Sequence, residues 1–405
     1  MDHVRTNMII QSSIKQVLKK NKFIYSLNAY LKCRATKKQY NKILAHYATL
    51  KEPKPFDTLF RERLGERIER LQTLNRPLNI FFLGTDEMQD RSGTLQALEK
   101  FGQLTYFTRE DGSYGHSYPS SSVNERCKVN SQRLWDLIQK KQAIGAKTDI
   151  LIAQTRGSIL EGSVLSKIRE VYGTIIINIS MDDRHQYWGR KLNGVWLGTH
   201  GLIPHLDLAL TAASECVEWY IKENCPAIYF PEASDPNIFY PMPELPKIHD
   251  VCFVGGCYGI REKIVRAIQQ ASINVTAYGN GWPNGRIPTE EVPRLFAQSK
   301  IILGIGTIGH CHDFCSLKMR DFDGPMSGSL YLTQHNVDLV KFFEIDKEIV
   351  TYKNISDCIS KVQGLLQDDK RRENIAKAGR LRAEQNHTWE NRFKMLLRTL
   401  KNPIA

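Results

Sequence analysis

The sequence lacks an apolar run of the roughly 18 to 20 residues that a membrane-spanning helix requires. Its N-terminus also lacks the apolar core of a secretory signal. We therefore expect a soluble protein that stays in the cytoplasm. The nine cysteines are an odd number scattered over 405 residues. This pattern excludes a complete disulfide framework and predicts reduced thiols.

Acidic residues are nearly missing from the first 50 positions. This segment has ten Lys or Arg and only Asp2 as an acid, so it carries +9 of the net charge of +13. The helices that we predict within these 50 residues either pack on the neighbouring domain or rest on an anionic membrane surface. On such a surface each basic residue contributes about 1 kcal/mol to the free energy of binding. No nucleic-acid motif accompanies the charge, so we expect no nucleic-acid partner. Apolar residues at helical spacing predict two amphipathic helices, the first with Ile10, Ile14, Val17, Leu18 and Tyr25 and the second with Tyr40, Ile43, Leu44 and Tyr47.

From residue 78 onward, short apolar runs alternate with helical patterns, which is typical of parallel sheets built from βαβ units. We predict an α/β protein with two doubly wound, Rossmann-like domains. The boundaries are an N-terminal helical extension over 1–76, a first domain over 77–230, a proline-rich linker over 231–243, a second domain over 244–386 and a last helix over 387–405. The predicted strands are 78–83, 104–107, 150–153, 174–179, 208–211 and 228–230, then 251–254, 273–278, 300–303, 330–332 and 348–352.

The segment 318–333 carries residue types that suit a sugar nucleotide. Arg320 can pair with a diphosphate, and Asp323 can accept hydrogen bonds from both hydroxyls of a ribose. Ser327 and Gly328 follow at a helix or turn boundary, where a glycine lets backbone N–H groups approach a phosphate.

Two glycine-containing turns follow the first two strands of the second domain. Gly255 and Gly256 lead into a helix that begins near Arg261, and this turn either admits a phosphate or is only a tight connection. After the next strand come Gly279 and a pair of aromatic residues, Tyr278 and Trp282, either of which stacks on a base or packs at the edge of the core.

Two further patterns admit other chemistry. Gly304, Gly306 and Gly309 match the dinucleotide pattern G-x-G-x-x-G, but a helix start and a well-placed acid are missing after it. The cluster His310, Cys311, His312 and Cys315 has metal-ligand chemistry, but four ligands within six residues rarely surround one ion, so we expect no metal.

We expect the second domain to bind the donor and the first domain to carry the acceptor and any catalytic base. Acids at the carboxyl ends of strands in the first domain are the candidates for that base. Asp86 follows the first strand, and Asp182 and Asp183 follow the fourth, with His185 close behind. Adjacent acids raise each other's pKa and so supply a base near neutral pH. We predict Asp86, Asp183 and Arg320 as catalytic residues.

Six motifs in order resemble the CgeB-like, spore-maturation type of glycosyltransferase. The resemblance covers residues 228 to 395 well and the first domain loosely. It implies a GT-B fold, in which two Rossmann-like domains face a cleft and the last helix crosses back to the first domain. The motifs lie at 253–261, 278–282, 300–304, 320–328, 347–350 and 387–392.

The resemblance also implies transfer of a sugar from a nucleotide diphosphate donor such as a UDP-sugar, without a metal or other cofactor, to a glycan, lipid-linked, protein or small-molecule acceptor. Asp323 stands where the family has glutamate, and Cys315 where related GT-B enzymes have a second glutamate, so retention or inversion stays open. The alternatives are a non-catalytic nucleotide-binding or assembly module with the same fold, and an NAD-dependent oxidoreductase.

Overall fold

The computed structural model describes residues 22–116 and 122–401. Short 3₁₀ turns at Thr199–His205, Thr289–Glu291 and Leu339–Lys341 connect regular elements. In chain order the helices and strands are α1 Lys22–Ala48, α2 Phe56–Leu64, α3 Glu66–Gln72, β1 Leu78–Leu83, α4 Glu87–Asp90, α5 Thr94–Glu99, β2 Gly102–Tyr106, α6 Val123–Ala143, β3 Ile150–Ala153, α7 Gly162–Tyr172, β4 Ile175–Ser180, α8 Asp183–Gln186, β5 Lys191–Leu192, β6 Val195–Trp196, β7 Leu208–Thr211, α9 Ser214–Lys222, β8 Ala227–Tyr229, β9 His249–Val254, α10 Arg261–Gln270, β10 Val275–Tyr278, α11 Val292–Ala297, β11 Ser299–Leu303, α12 Arg320–Met326, β12 Leu330–Gln334, β13 Val350–Tyr352, α13 Ile355–Gln367, α14 Asp369–Asn386 and α15 Trp389–Lys401.

The first domain is built on a six-stranded parallel sheet with the order β2-β1-β3-β4-β7-β8. Strands β3 and β4 are buried along their whole length, which explains their continuous apolar sequences. The strand order reverses between β1 and β3. In such sheets the carboxyl ends beside the reversal form the ligand-binding crevice.

The second domain has a five-stranded parallel sheet with the order β10-β9-β11-β12-β13. Its reversal lies between β9 and β11, so the turn at Gly255 stands at the crevice. All the strands predicted from the apolar runs are present, with ends shifted by two residues or fewer. The antiparallel pair of β5 and β6 was not predicted.

Helix α1 contains Tyr25 of the first predicted helix together with Tyr40, Ile43, Leu44 and Tyr47 of the second. Its sequence contains no proline or glycine to interrupt it, and it ends at Ala48, five residues before Pro53. Ile43 and Tyr47 are 2% exposed and belong to the core of the first domain. The Tyr47 ring stacks on Trp219 with centroids 5.6 Å apart. The apolar positions predicted at 10–18 lie outside the described residues.

The last helix, α15, packs on the first domain, although it follows the second domain in the chain. Trp389, Phe393 and Leu396 are each 1% exposed and join the core under the first sheet. The Lys100 ammonium lies 2.6 Å from the Glu390 carboxylate and pairs the helix with the end of α5. The linker region and this helix thus bring the two domains together.

Candidate functional site

A cavity of about 340 Å³, here called the interdomain pocket, lies between the two sheets at the carboxyl ends of their strands. Arg286, of the second domain, reaches across the cleft to Asp86, with 3.7 Å between the charged atoms. The first domain contributes Asp86, Met88, Gln89 and Ser92 to the lining, and the second contributes, among others, Gly255, Gly256, Gly279, Arg320 and Asp323.

Two arginine side chains converge on the turn at Gly255. The guanidinium carbons of Arg320 and Arg261 lie 5.0 Å and 5.7 Å from the centroid of the Phe253 ring. A Cβ added at Gly255 would stand 2.9 Å from Nη1 of Arg320 and 3.3 Å from Nη1 of Arg261. A side chain at this position would displace the two guanidinium groups, and the φ of 153° at Gly255 is one that other residues rarely adopt.

Neither arginine of this pair forms an ion pair with an acid among the described residues, and the Nε atom of each is buried without a hydrogen-bond partner there. Burial raises the pKa of Asp321 and of Asp323, and the charge of Arg320 acts against this effect. Burial, followed by the positive charge of Arg320, lowers the pKa of Arg261 to about 10. Two neighbouring cations without ion-pair partners, beside a glycine, suit a doubly charged anion.

The second glycine turn supports the first one. The backbone at Gly279 packs so closely on Gly255 that an added Cβ would lie 2.3 Å from the Gly255 carbonyl oxygen. Trp282 donates a 2.7 Å hydrogen bond from its indole N–H to the same oxygen. Its ring lines a different cavity on the outer side of β10, and Tyr278 packs against the core of the second domain. These aromatic residues therefore hold the turn, and the geometry gives no support to their stacking on a base.

Asp323 lies on α12 and faces the interdomain pocket. Its side chain is 5% exposed, and Oδ1 is buried with no hydrogen-bond partner among the described residues. Burial raises the pKa of Asp323 well above its usual value. A buried carboxyl oxygen without a partner is costly, so a ligand hydroxyl that donates to it would be strongly favoured.

Ser327 and Gly328 have internal roles. The Ser327 hydroxyl donates to the carbonyl of Gly324 at 2.7 Å. Gly328 has φ of 75°, and a Cβ there would meet Pro241 at 2.7 Å. Neither residue is among the described residues that line the interdomain pocket, so Gly328 accommodates the linker instead of a phosphate.

The predicted catalytic acids have different surroundings. Asp86 lines the interdomain pocket and caps α4 by accepting a hydrogen bond from the Met88 N–H. Asp183 is 1% exposed and accepts hydrogen bonds from Ser180 at 2.6 Å and from Tyr220 at 3.0 Å. Its two oxygens are thus engaged inside the core, and the geometry does not support a catalytic role. Asp182, the neighbouring acid, faces the cleft instead.

A buried ionic network joins the domains behind the pocket. Arg184 donates to Glu215 of its own domain at 2.6 Å and to Asp338 of the second domain at 2.7 Å. It also donates to the Cys315 carbonyl oxygen at 2.7 Å, so it holds the loop that leads to α12. Lys318, in that same loop, lies 3.4 Å from Asp182.

The two alternative chemistries find no support in the local geometry. Residues 304–319 form an irregular loop, whereas a dinucleotide fingerprint needs a helix directly after its glycines. Gly304 is close-packed, since an added Cβ would lie 2.2 Å from the Tyr331 hydroxyl. Within the described residues, no group of three or more His, Cys, Asp or Glu side chains is arranged to hold a metal ion.

Several residues of the site carried no usable signal in the sequence. Gln89 lines both the interdomain pocket and a second cavity in the first domain. Arg286 and Arg184 bridge the domains. Their partners lie more than 150 positions away in the chain, so only the tertiary structure brings them together.

Comparisons with known proteins agree with this geometry. Residues 261–398 match the model of a family described as glycosyl transferase-like. This match begins at Arg261 and includes Arg320 and Asp323. No curated protein matches the chain. No described helix is long and apolar enough to cross a membrane.

Solved structures share the two-domain architecture at low sequence identity. A sucrose-phosphate synthase from Thermosynechococcus elongatus aligns with a TM-score of 0.59 and 12% identity, covering 81% of this chain and 100% of the other. HepE from Anabaena, in complex with UDP and glucose, aligns with a TM-score of 0.55 and 11% identity over 80% of this chain and 99% of the other. A glycosyltransferase from Rickettsia africae aligns with a TM-score of 0.54 and 11% identity over 81% and 98%. The predicted GT-B fold is confirmed: the chain has the two Rossmann-like domains of GT-B proteins, and residues 261–398 match the glycosyl transferase-like family model.

Proposed function

We propose that this protein transfers a sugar from a nucleotide diphosphate sugar to an acceptor hydroxyl. The observation that carries the proposal is the pair Arg261 and Arg320, which converge on Gly255 at the mouth of a GT-B donor domain and form no ion pair among the described residues. HepE, a protein of the same fold, is known in complex with UDP-glucose. A UDP-sugar is therefore the first donor to test.

The donor's diphosphate lies against the two guanidinium groups, and its ribose hydroxyls donate to Asp323. The glycosidic bond breaks as the diphosphate departs with the bonding electrons, and the two cations stabilise the charge that develops on it. The acceptor oxygen forms the new bond to the sugar carbon, and its proton passes to a base, for which Asp86 in the lining of the same pocket is the candidate. Because the arginines supply two positive charges to the leaving group, we expect turnover without an added divalent metal.

The proposal extends to the CgeB-like type of glycosyltransferase. It rests on the order and spacing of the motifs around Gly255, Gly279, Arg320 and Asp323. The turns at Gly255 and Gly279 pack on each other, so these two motifs lie side by side in the fold. Closure of the cleft at Asp86 and Arg286 would exclude water and favour transfer over hydrolysis.

A thermal-shift experiment tests donor binding. UDP, GDP, CMP, their sugars and NADH are each added to the purified protein, and a ligand at 100 times its Kd should stabilise the fold by about 2.7 kcal/mol. We expect a nucleoside diphosphate to raise the Tm and NADH to leave it unchanged. Asp323→Asn keeps the shape of the side chain and should weaken the shift, with Asp250→Asn, on the outer end of β9, as the control.

Two results would contradict the proposal. A shift with NADH alone would exclude a nucleotide-sugar site. Binding of a UDP-sugar with neither hydrolysis nor transfer to any acceptor would leave a non-catalytic nucleotide-binding module. Donor hydrolysis, measured by release of UDP in the presence and absence of EDTA, separates these outcomes and also tests the expected independence of metal.

We further propose that α1 rests on an anionic membrane surface. Ile24, Leu27 and Leu31 are 40%, 48% and 52% exposed. At about 100° per residue they lie on the side of the helix opposite the buried Ile43 and Tyr47. The outward face continues with basic residues, in a segment that carries nine net positive charges. Such a face suits a peripheral contact with anionic lipid.

Vesicle sedimentation tests this contact. Deleting residues 1–50 would remove Ile43 and Tyr47 from the core, so substitution is the cleaner experiment. Changing Ile24, Leu27 and Leu31 together to serine should reduce sedimentation with phosphatidylglycerol vesicles but not with neutral ones. Leu44→Ser, at a 38% exposed position on another side of the helix, is the control. Equal sedimentation of all variants would refute the contact.

A further inference from the structure

The first domain has a cavity of its own, here called the first-domain pocket. It measures about 270 Å³ and lies where the strand order reverses, at the carboxyl ends of β1, β3 and β4. Small-molecule sites commonly measure about 300 to 1,000 Å³. This cavity therefore has room for one compact unit and not for an extended chain.

The lining of the first-domain pocket is rich in amide and hydroxyl groups. The side-chain amides of Gln154 and Gln186 form no hydrogen bond to any of the described residues. Thr155, Ser180 and Thr199 also line the cavity, and the hydroxyls of Ser180 and Thr199 donate to Asp183. No aromatic ring other than the imidazole of His116 is present among the described lining residues. Amides both donate and accept, so such a surface matches a ligand that carries many hydroxyl groups.

Among the described residues that line this pocket, the two ionic groups, Arg156 and Asp182, have opposite signs. Arg156 donates from Nε to the Ser158 hydroxyl at 3.1 Å. Asp182 lies 3.4 Å from Lys318, and this positive charge, against the effect of burial, lowers the pKa of the carboxyl. The pocket thus lacks a strong excess of either charge, which argues against a highly charged ligand.

Two polar atoms in the lining are buried without a partner. Nδ1 of His116 and Oγ1 of Thr155 form no hydrogen bond with the residues the structure describes. Burial lowers the pKa of His116 to about 4, so the imidazole is neutral at physiological pH. Its Nε2 is 2.9 Å from the Gln154 carbonyl oxygen and must donate to it, which leaves a lone pair on Nδ1. Buried orphans of this kind need a ligand or a water molecule.

The positions of these two orphans are held by buried asparagines. Asn130 donates to the His116 carbonyl oxygen at 3.1 Å. Asn178 accepts from the Thr155 N–H at 3.1 Å and donates to its carbonyl oxygen at 3.3 Å. Both asparagines are 1% exposed. The floor of the pocket is therefore rigid before any ligand binds, which reduces the entropy lost on binding.

We infer that the first-domain pocket binds a neutral, hydroxyl-rich unit, a single sugar or polyol, as the acceptor of the transferred group. The inference that the bound sugar or polyol is the acceptor rests on the proposed function. The inference that it binds rests on the pocket alone. Gln89 lines both this pocket and the interdomain pocket, so the two cavities meet there. A hydroxyl of the bound unit would face the donor sugar across Gln89.

Saturation-transfer NMR tests the binding directly. The probes are the methyl glycosides of glucose, galactose and N-acetylglucosamine, and glycerol, each with the full-length protein and UDP. Octanol and 4-nitrophenol represent aliphatic and aromatic acceptors. We expect at least one glycoside or glycerol to bind and the two comparison alcohols not to bind. Binding of only octanol or 4-nitrophenol, or of none of the probes, would overturn the inference.

Substitutions locate the binding site. Thr155→Val preserves the shape of the side chain and removes the orphan oxygen, and Gln186→Ala removes one amide. Each should weaken binding of the glycoside or polyol about tenfold, which corresponds to about 1.4 kcal/mol. Gln269→Ala, in the outer cavity beside β10, is the matched control and should bind normally. Unchanged affinity in both pocket variants would place the ligand elsewhere and overturn the inference.

The outcome for UDP is read separately. Thr155→Val should bind UDP as the wild type does, because Thr155 does not line the interdomain pocket. If no nucleotide binds while a glycoside binds in a manner dependent on Thr155, the proposed glycosyl transfer fails and the first-domain pocket stands. If UDP binds and both Thr155→Val and Gln186→Ala leave glycoside affinity unchanged, the first-domain pocket fails as the binding site and the proposed glycosyl transfer stands.

Discussion

Replacing Arg320 by alanine should weaken nucleotide binding without weakening the fold. Within the part of the chain that the structure describes, this guanidinium makes one hydrogen bond, a long one of 3.4 Å to the Ile305 carbonyl oxygen. Its charge also opposes that of Arg261, whose pKa is lowered first by burial and then by Arg320. Removing the side chain therefore relieves this repulsion and breaks no ion pair among the described residues.

The magnitude follows from the bonds that a diphosphate would lose. A hydrogen bond to a charged group contributes about 1.5 to 3 kcal/mol. Loss of one such interaction raises the Kd for UDP by about 10- to 100-fold. The Tm of the unliganded protein should stay constant or rise. A residue that served only to stabilise the fold would show the opposite combination.

Isothermal titration with UDP and thermal unfolding without ligand measure the two quantities. Arg266→Ala is the matched control, because Arg266 lies on the same helix as Arg261 but pairs with Glu262 on the outer surface at 2.8 Å. We expect that variant to bind UDP normally. Unchanged UDP affinity in Arg320→Ala, or a lowered Tm with normal affinity, would refute the assignment of the arginine pair to the diphosphate.

Three further variants test other parts of the structure. Glu232 is fully buried in the linker, and burial raises its pKa from 4.5 to about 8. Between these two pH values the folded protein therefore keeps a proton that the unfolded chain loses. The free energy of unfolding consequently falls as the pH rises from about 4.5 to 8. Glu232→Gln should therefore gain Tm over the wild type as the pH is raised from 5 to 8, and a constant difference in Tm would contradict the shift. Arg184→Ala leaves the Asp338 carboxylate buried without its main partner and should lower the free energy of unfolding in urea by about 3 to 5 kcal/mol. Small-angle scattering should show a wider separation of the two domains. An unchanged scattering profile would mean that the ionic network does not hold the domains together. Tyr47→Ala removes a buried ring stacked on Trp219 and should lower the free energy of unfolding by about 3 to 5 kcal/mol. The control Tyr30→Ala, at an exposed position, should lower it little. Equal losses of stability in the two variants would mean that α1 is not anchored through Tyr47.

The strands could be predicted because their information is local. Each of the apolar runs predicted as a strand is a strand, since parallel strands buried on both faces require continuous apolar side chains. The N-terminal helices were less predictable. Tyr25 and Tyr47 belong to one helix, because no residue between them interrupts it, and spacing alone did not reveal where a helix begins.

The candidate site was predicted only in part. Arg261, Arg320 and Asp323 were chosen by residue type, and the structure brings the two arginines together at Gly255 and places Asp323 in the same pocket. Trp282 and Gly328 were predicted to bind the donor, yet they support a turn and the linker. Residue type indicates what a side chain can bind, but its orientation depends on neighbours from distant parts of the chain.

The sequence by itself determined the alternation of strands and helices, the segment 318–333 as the richest in donor-binding residue types and the basic N-terminus, because composition and periodicity are local properties. The tertiary structure alone decided that Asp183 is inside the core while Asp182 faces the cleft, although the two are adjacent. It also decided that Gln89 stands between two cavities and that His116 keeps an unpartnered nitrogen. These properties arise from packing between elements that are far apart in the chain, and packing sets which polar groups are buried, paired or left open to a ligand.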